Sequence, residues 1–139
     1  MSTEMLQPVA ALMLLTFVVW VWMYAVRFRY LLANRVPAHA VRTPELMAAA
    51  TPESVSRPSN NFKNLFELPV LFYVLALALL YLDQVDSRYV GLAWAYVGFR
   101  VVHSAVQCTI NHVPLRFAAY ALSSVALWIM VLRFTFSLI

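Results

Sequence analysis

Long apolar stretches separated by shorter polar connections dominate the chain. Residues 5–26 contain no charged side chain, and three further apolar stretches follow, two of them separated from the next by only a few polar residues. A helix of roughly 20 apolar residues crosses the core of a bilayer. The pattern therefore predicts four membrane-spanning helices, at about residues 5–29, 61–82, 88–111 and 114–134.

The connections between these stretches predict how the helices are arranged. Residues 83–87 join the second stretch to the third, and a tight turn before Pro114 joins the third to the fourth. Links this short force consecutive helices to run antiparallel. With no repeat and no second domain, the pattern predicts a single all-α domain over residues 1–139, an up-down-up-down bundle of four helices.

The one long polar connection, residues 34–59, contains four prolines that are expected to interrupt it. Within it, Thr43 precedes Pro44 and Glu45, which is the order of an N-cap, a first-turn proline and an early acidic residue. We therefore expect a short surface helix over residues 45–50, capped by Thr43.

Composition places the chain among membrane proteins. Hydrophobic residues make up 63% of the 139 positions and charged residues 12%, and the mean hydropathy is +0.76. A soluble domain carries about twice that share of charge. The net charge of +4 comes from basic residues scattered near predicted helix ends. Membrane anchoring and anionic lipid account for them, and no nucleic-acid partner is expected.

The distribution of basic residues predicts the orientation. Six of them lie in or beside the first connection: Arg27, Arg29, Arg35, Arg42, Arg57 and Lys63. Basic residues are retained on the cytoplasmic side of a membrane. The first and third connections are therefore expected in the cytoplasm and both termini on the outer side.

Polar residues inside the apolar stretches are the candidate functional residues, because such groups are costly at membrane depth. In a continuous second helix, Asn60, Asn64 and Glu67 would share one face, with Lys63 beside them. The third stretch repeats this pattern with Arg100, His103, Gln107 and Asn111, and the fourth with Arg116 and Tyr120. Arg100 is expected to pair with an acidic residue such as Glu67.

The chemistry of these side chains favours a small zwitterionic peptide as the ligand. Lys63, Arg100 and Arg116 suit carboxylates, Glu67 suits an amine, and asparagines suit peptide amides. The sequence has no metal-ligand spacing and no glycine-rich phosphate loop. We therefore expect neither a metal nor a nucleotide at this site.

Three motifs resemble the family of membrane-associated proteins in eicosanoid and glutathione metabolism. These include microsomal glutathione transferases, leukotriene C4 synthase and microsomal prostaglandin E synthase. Asn64-x-x-Glu67 with a proline beyond it resembles the second-helix signature of that family. Arg100-x-x-His103 resembles the third-helix motif, and Pro114-x-Arg116-x-x-x-Tyr120 resembles the start of the fourth helix. The resemblance covers nearly the whole chain and suggests a bacterial-type member.

The resemblance implies a homotrimer with glutathione sites between subunits. It implies that Asn64, Glu67, Lys63 and His103 bind glutathione, that Arg116 holds and activates the thiol, and that Tyr120 supports it. Asn60, Arg100 and Gln107 complete the implied binding set. Three positions differ from the family pattern. Asn60 stands where a basic residue is usual, Gln107 where synthases carry a tyrosine, and Phe117 where the prostaglandin synthase has a serine.

Three functions are compatible with these observations. The first is a glutathione-dependent membrane transferase or peroxidase that acts on lipophilic electrophiles, with a thiolate stabilised by an arginine. The second is a non-catalytic member of the same family that binds lipid or a partner, which the three differences favour. The third is a proton-coupled exporter built on Glu67, against which stand the cationic neighbours of that residue and its place near a helix end.

Overall fold

The computed structural model describes residues 2–139, and the regular secondary structure within them is all helical. Six α-helices and one short 3-10 helix follow each other along the chain. They are α1 (Ser2–Ala33), the 3-10 helix (Ala38–Val41), α2 (Pro44–Ala50), α3 (Glu53–Asn64), α4 (Leu68–Tyr81), α5 (Ser87–Cys108) and α6 (Val113–Ser137).

Four of these helices share one apolar core. Leu12 and Val19 of α1 and Leu79 of α4 are buried in it, and Tyr96 of α5 stacks on Phe72 of α4 with ring centroids 4.8 Å apart. α5 packs most extensively on α6, while α1 contacts α3 and α5. Apolar residues on the opposite faces stay exposed, as expected of helices that face lipid.

Three of the described helical segments are long and apolar enough to cross a membrane. They are Thr3–Ala33, Glu53–Tyr81 and Val113–Ser137. α5 has a sufficient length of 22 residues but is not among them. Polar side chains including Arg88, Arg100 and Gln107 lower its hydropathy, so a fourth span at this position stays a prediction.

The second apolar stretch is not one continuous helix, so that expectation is wrong. α3 ends at Asn64, residues 65–67 form a turn, and α4 begins at Leu68 with Pro69 in its first turn. A proline has no N–H to continue the ladder of an existing helix but is well placed at the start of a new one. Glu67 is therefore the residue that precedes α4 and no longer shares a helical face with Asn60 and Asn64.

α5 also ends earlier than the expected boundary at residue 111. Its last residue is Cys108, and Asn111 adopts a positive φ of 50° in the turn to α6. Asparagine tolerates this left-handed conformation better than most residues. Asn111 is therefore a turn residue and does not extend the polar face of α5.

The 34–59 connection is largely helical. The expected helix is confirmed as α2, and the Thr43 hydroxyl accepts a hydrogen bond from the backbone N–H of Leu46 at 3.3 Å. Pro58 was expected to interrupt the chain, but α3 runs through it from Glu53. Val55 and Pro58 are buried in a helix that packs on α1, and this packing offsets the missing N–H.

Asp86 ties the turn between α4 and α5 to the far end of α6. Its carboxylate accepts hydrogen bonds from the Tyr89 backbone N–H at 2.9 Å and from Arg133 NH1 at 2.7 Å. A second bond from Arg133 makes the pair bidentate. The Arg133 guanidinium, helped by that backbone N–H, holds the pKa of the Asp86 carboxyl well below its ordinary value.

We expect Asp86→Asn to lower the melting temperature by a few degrees at neutral pH, because asparagine keeps the N-cap but loses the ion pair. Both partners are partly exposed, so the loss is about 1 kcal/mol or less. Because the pKa of the Asp86 carboxyl is lower in the folded protein than its value near 3.9 in the unfolded chain, the ion pair stabilises the fold at pH values above about 3.9. This stabilisation is lost as the pH falls from there toward the folded-state pKa. The melting temperatures of the two proteins should therefore begin to converge below about pH 4 and become equal only at more acidic pH. A wild-type advantage that persists unchanged in acid would contradict the assignment.

Candidate functional site

A pocket of about 290 Å³ opens between the start of α6, the second half of α5 and the end of α3. Its lining contains five of the predicted site residues together with Val113 and Phe117. These five are Asn64, His103, Gln107, Arg116 and Tyr120. The volume is at the lower end of ordinary ligand pockets, which hold about 300–1,000 Å³.

Asn64 connects the arginine of α5 to the carboxylate at the break between α3 and α4. Its Oδ1 accepts a hydrogen bond from Arg100 NH1 at 2.5 Å, and its Nδ2 donates to Glu67 Oε2 at 3.2 Å. Arg100 and Glu67 are therefore linked by hydrogen bonds to the same side-chain amide, that of Asn64. The expected direct ion pair between them is wrong for this structure, because the turn at residues 65–67 leaves Glu67 exposed.

Arg100 is fully buried, with 0% of its surface accessible, and only one of its three guanidine nitrogens has a hydrogen-bond partner among residues 2–139. Within the same residues, Nε and NH2 have none, and the nearby Tyr96 hydroxyl is likewise without a partner. The rings of Tyr120 and Tyr96 lie 4.9 and 5.5 Å from its Cζ. Aromatic faces attract a cation but do not satisfy its N–H groups. Such a group requires an anion or other acceptor.

His103 fastens α5 to the start of α6. Its Nδ1 lies 3.0 Å from the backbone carbonyl oxygen of Arg116, and its Nε2 lies 2.9 Å from the side-chain oxygen of Gln107. Both ring nitrogens therefore have protein partners. This arrangement suits a residue that positions the pocket wall and still presents an imidazole edge to it.

Arg116 belongs to a chain of hydrogen bonds that sequence reasoning did not find. Its NH1 donates to Asn111 Oδ1 at 2.5 Å, and Asn111 Nδ2 donates to Glu53 Oε1 at 2.7 Å. Glu53 also accepts from Arg57 Nε at 3.2 Å, and Arg57 NH1 donates to the Thr109 carbonyl oxygen at 2.6 Å. This chain fixes the α5–α6 turn against the start of α3, and it holds Arg116 in place.

Tyr120 and Phe117 complete the α6 side of the pocket. The Tyr120 ring is partly buried, with its centroid 5.8 Å from that of His103. The Phe117 ring is 68% exposed. An exposed aromatic ring beside Arg116 is a surface that an apolar compound or a neighbouring helix can cover.

Asn60 and Lys63 lie elsewhere. Both line a separate cavity bounded by the 34–59 connection, on another side of α3 from Asn64. The structure therefore divides the predicted set in two. Asn64, His103, Gln107, Arg116 and Tyr120 share one pocket, with Arg100 and Glu67 reached through Asn64, whereas Asn60 and Lys63 face a different one.

Comparison with known proteins supports the resemblance seen in the motifs. No curated protein and no solved structure matches the chain. The family of membrane-associated proteins in eicosanoid and glutathione metabolism is abbreviated MAPEG. The model of the MAPEG family matches residues 5–136, which is nearly the whole length and includes every residue of the pocket. The chain belongs to the MAPEG family.

Proposed function

We propose that this protein is a glutathione-dependent membrane enzyme of the transferase or peroxidase type, acting on lipophilic electrophiles in detoxification. The observation that carries the proposal is the meeting of Arg116, Tyr120, His103 and Asn64 in one pocket. The family match supports it, because these residues stand in the motifs that resemble the family.

The donors of the pocket suit a small peptide with two carboxylates. Arg116 offers guanidinium N–H groups and Asn64 offers an amide, and the buried Arg100 is hydrogen-bonded to Asn64 through NH1. Charge-assisted hydrogen bonds of this kind are roughly twice as strong as neutral ones. Glu67, exposed beside Asn64, provides a carboxylate that suits an amine.

When bound, glutathione supplies the thiol that attacks the electrophile. The protein contributes charge and position. Arg116 favours the deprotonated form of a thiol placed beside it, and Asn111 and Glu53 keep the guanidinium from turning away. Tyr120 adds a phenol that can donate a hydrogen bond. The exposed ring of Phe117 offers an apolar surface to the electrophile.

We further propose that the chain forms a single four-helix bundle that assembles as a homotrimer in a bacterial inner membrane. The open pocket and the apolar stripe on α4, which includes exposed Val70, Val74 and Leu77, suit burial against a neighbouring copy. The basic first connection supports a site that faces the cytoplasm, with both termini on the outer side.

Titration calorimetry with glutathione tests the proposal together with conjugation of a generic aryl halide. We expect binding and halide release by the purified protein. Glu67→Gln should weaken binding about tenfold, because a charge-assisted bond to the amine of the peptide is lost. Glu45→Gln is the matched control, since Glu45 is exposed on α2 outside the pocket. If neither variant changes the dissociation constant, Glu67 does not belong to the site.

The non-catalytic alternative rests on hydrogen bonds that the polar side chains of the pocket already make with other residues of the protein. Gln107 is bonded to His103 and Arg116 to Asn111, so part of the polar lining is already paired within the protein. A member that binds only lipid or a partner needs no free donors there. Glutathione binding without conjugation, or no heat of binding at all, would favour this alternative.

A further inference from the structure

A second cavity, of about 340 Å³, lies between the end of α1, the 34–59 connection and α3. Three basic side chains from three different segments line it, namely Arg27, Arg42 and Lys63. None of the described residues in its lining is acidic. Like charges gathered around a cavity create a positive potential that attracts an anion.

Neutral donors stand between these cations. Ser56, Ser59 and Asn60 of α3 line the same wall, and Arg27 NH2 donates to Ser59 Oγ at 3.2 Å. That bond orients the arginine and leaves the hydroxyl proton of Ser59 available. Guanidinium, hydroxyl and amide donors together form a set that suits the oxygens of a phosphate group.

The position of the cavity along α1 corresponds to the surface of a membrane. Trp20, Trp22 and Tyr24 follow the apolar stretch of α1, and aromatic residues of this kind collect at the membrane interface. Arg27 is one turn further along, with its Cζ 5.5 Å from the ring centroid of Tyr24. The phosphates of phospholipids lie at this level.

The rest of the lining is mostly apolar, apart from Thr43 and Thr51, and favours a lipid over a free ion. Val41 and Met47 from the connection and Val55 from α3 face the same space. Inorganic phosphate gains nothing from such contacts, whereas the glycerol and first acyl carbons of a lipid do. The three cations lack an acidic partner in the lining, so a headgroup with a net negative charge fits better than a zwitterionic one.

We propose that this cavity binds the phosphate-bearing headgroup of an anionic phospholipid. Two of its lining residues, Asn60 and Lys63, belong to the set that the resemblance assigns to glutathione, but the cavity shares no lining residue with the pocket that contains Arg116 and Tyr120. The proposal also assigns a role to the 34–59 connection, which closes the cavity over the end of α1 and provides Arg42.

Native mass spectrometry of the purified full chain in mild detergent tests this binding. Phosphatidylglycerol should bind about tenfold more tightly than phosphatidylcholine with the same acyl chains. Arg42→Ala should remove most of that preference, again about tenfold, because one charge-assisted contact is lost. Arg42 lies on the exposed connection, so its loss leaves the core intact. Arg29→Ala is the matched control, since Arg29 is exposed on α1 outside this lining.

Equal binding of the two lipids would overturn the proposal, as would a loss in Arg29→Ala equal to that in Arg42→Ala. Competition distinguishes the sources of the anion. Displacement of the lipid by excess inorganic phosphate would assign the cavity to free phosphate. Displacement by glutathione would make the cavity part of the peptide site. Either result overturns the lipid assignment. Retention of phosphatidylglycerol in both cases supports it. Arg42→Ala should keep its full glutathione conjugation rate.

Discussion

Arg116→Ala is expected to lower the rate of glutathione conjugation at pH 7 by about thirtyfold while the protein remains folded. A free thiol titrates near pH 8.5, so only a few per cent of it is thiolate at neutral pH. A depression of about 2 pKa units, or nearly 3 kcal/mol, would make the thiolate the dominant form. The variant should therefore lose the ultraviolet absorbance of bound thiolate along with its turnover.

One guanidinium is sufficient for this effect. A unit charge about 4 Å from the sulfur contributes around 4 kcal/mol at an effective dielectric constant near 20, before desolvation is subtracted. Arg116 is partly buried and is held by Asn111, so its charge stays in place. The pH dependence of the rate should move up by about 2 units in the alanine variant.

Arg133→Ala is the matched control for Arg116→Ala. Both arginines belong to α6, but Arg133 is near its far end and pairs with Asp86. Its loss should reduce stability without changing the thiolate absorbance. An Arg116→Ala protein that stays folded and still forms thiolate at neutral pH would remove Arg116 from the activating role.

Arg100→Met is expected to leave the ligand-free protein as stable as the wild type or more stable, and to abolish the stabilisation that glutathione provides. A buried ion without a full set of partners is costly, and replacing such groups by apolar ones is neutral or stabilising by about 1–4 kcal/mol. In the wild type, Nε and NH2 of Arg100 have no partner within the described chain, and a carboxylate of the peptide would reach them only when the side chains that cover this fully buried residue move aside. Methionine offers no such contact.

Melting curves with and without glutathione measure both parts of this expectation. Arg88→Met is the control, because Arg88 is an exposed arginine at the start of the same helix. It should respond to glutathione as the wild type does. If Arg100→Met strongly destabilises the ligand-free protein, the assembly already provides an acceptor for Arg100. A full response to glutathione in that variant would exclude Arg100 from the site.

Local sequence features predicted much of the helical framework. Thr43 before Pro44 predicted α2, and the capping bond of Thr43 is present because it involves residues only three positions apart. The apolar stretches at 5–29 and 114–134 lie within α1 and α6. In the apolar core of a membrane the backbone must satisfy its own hydrogen bonds, which favours a continuous helix. The motifs around Asn64, Arg100 and Arg116 indicated the family, which the family comparison confirms.

Helix boundaries near prolines were harder to predict. Pro58 and Pro69 carry the same local signal, yet α3 continues through the first and α4 starts at the second. The difference lies in packing, because residues around Pro58 are buried in a helix that contacts α1. The pattern of apolar residues along one segment does not show which of its residues another segment will bury.

The sequence by itself determined the membrane class, the family and the residues that could form a site. Only the tertiary structure decided how those residues are paired. In the structure, Asn64 is hydrogen-bonded to both Arg100 and Glu67. Arg116 is linked to Glu53 through Asn111, and Lys63 lines a separate cavity. Such pairings depend on the ends of helices and on the distances between them, and side chains from distant segments meet only when the whole chain has packed.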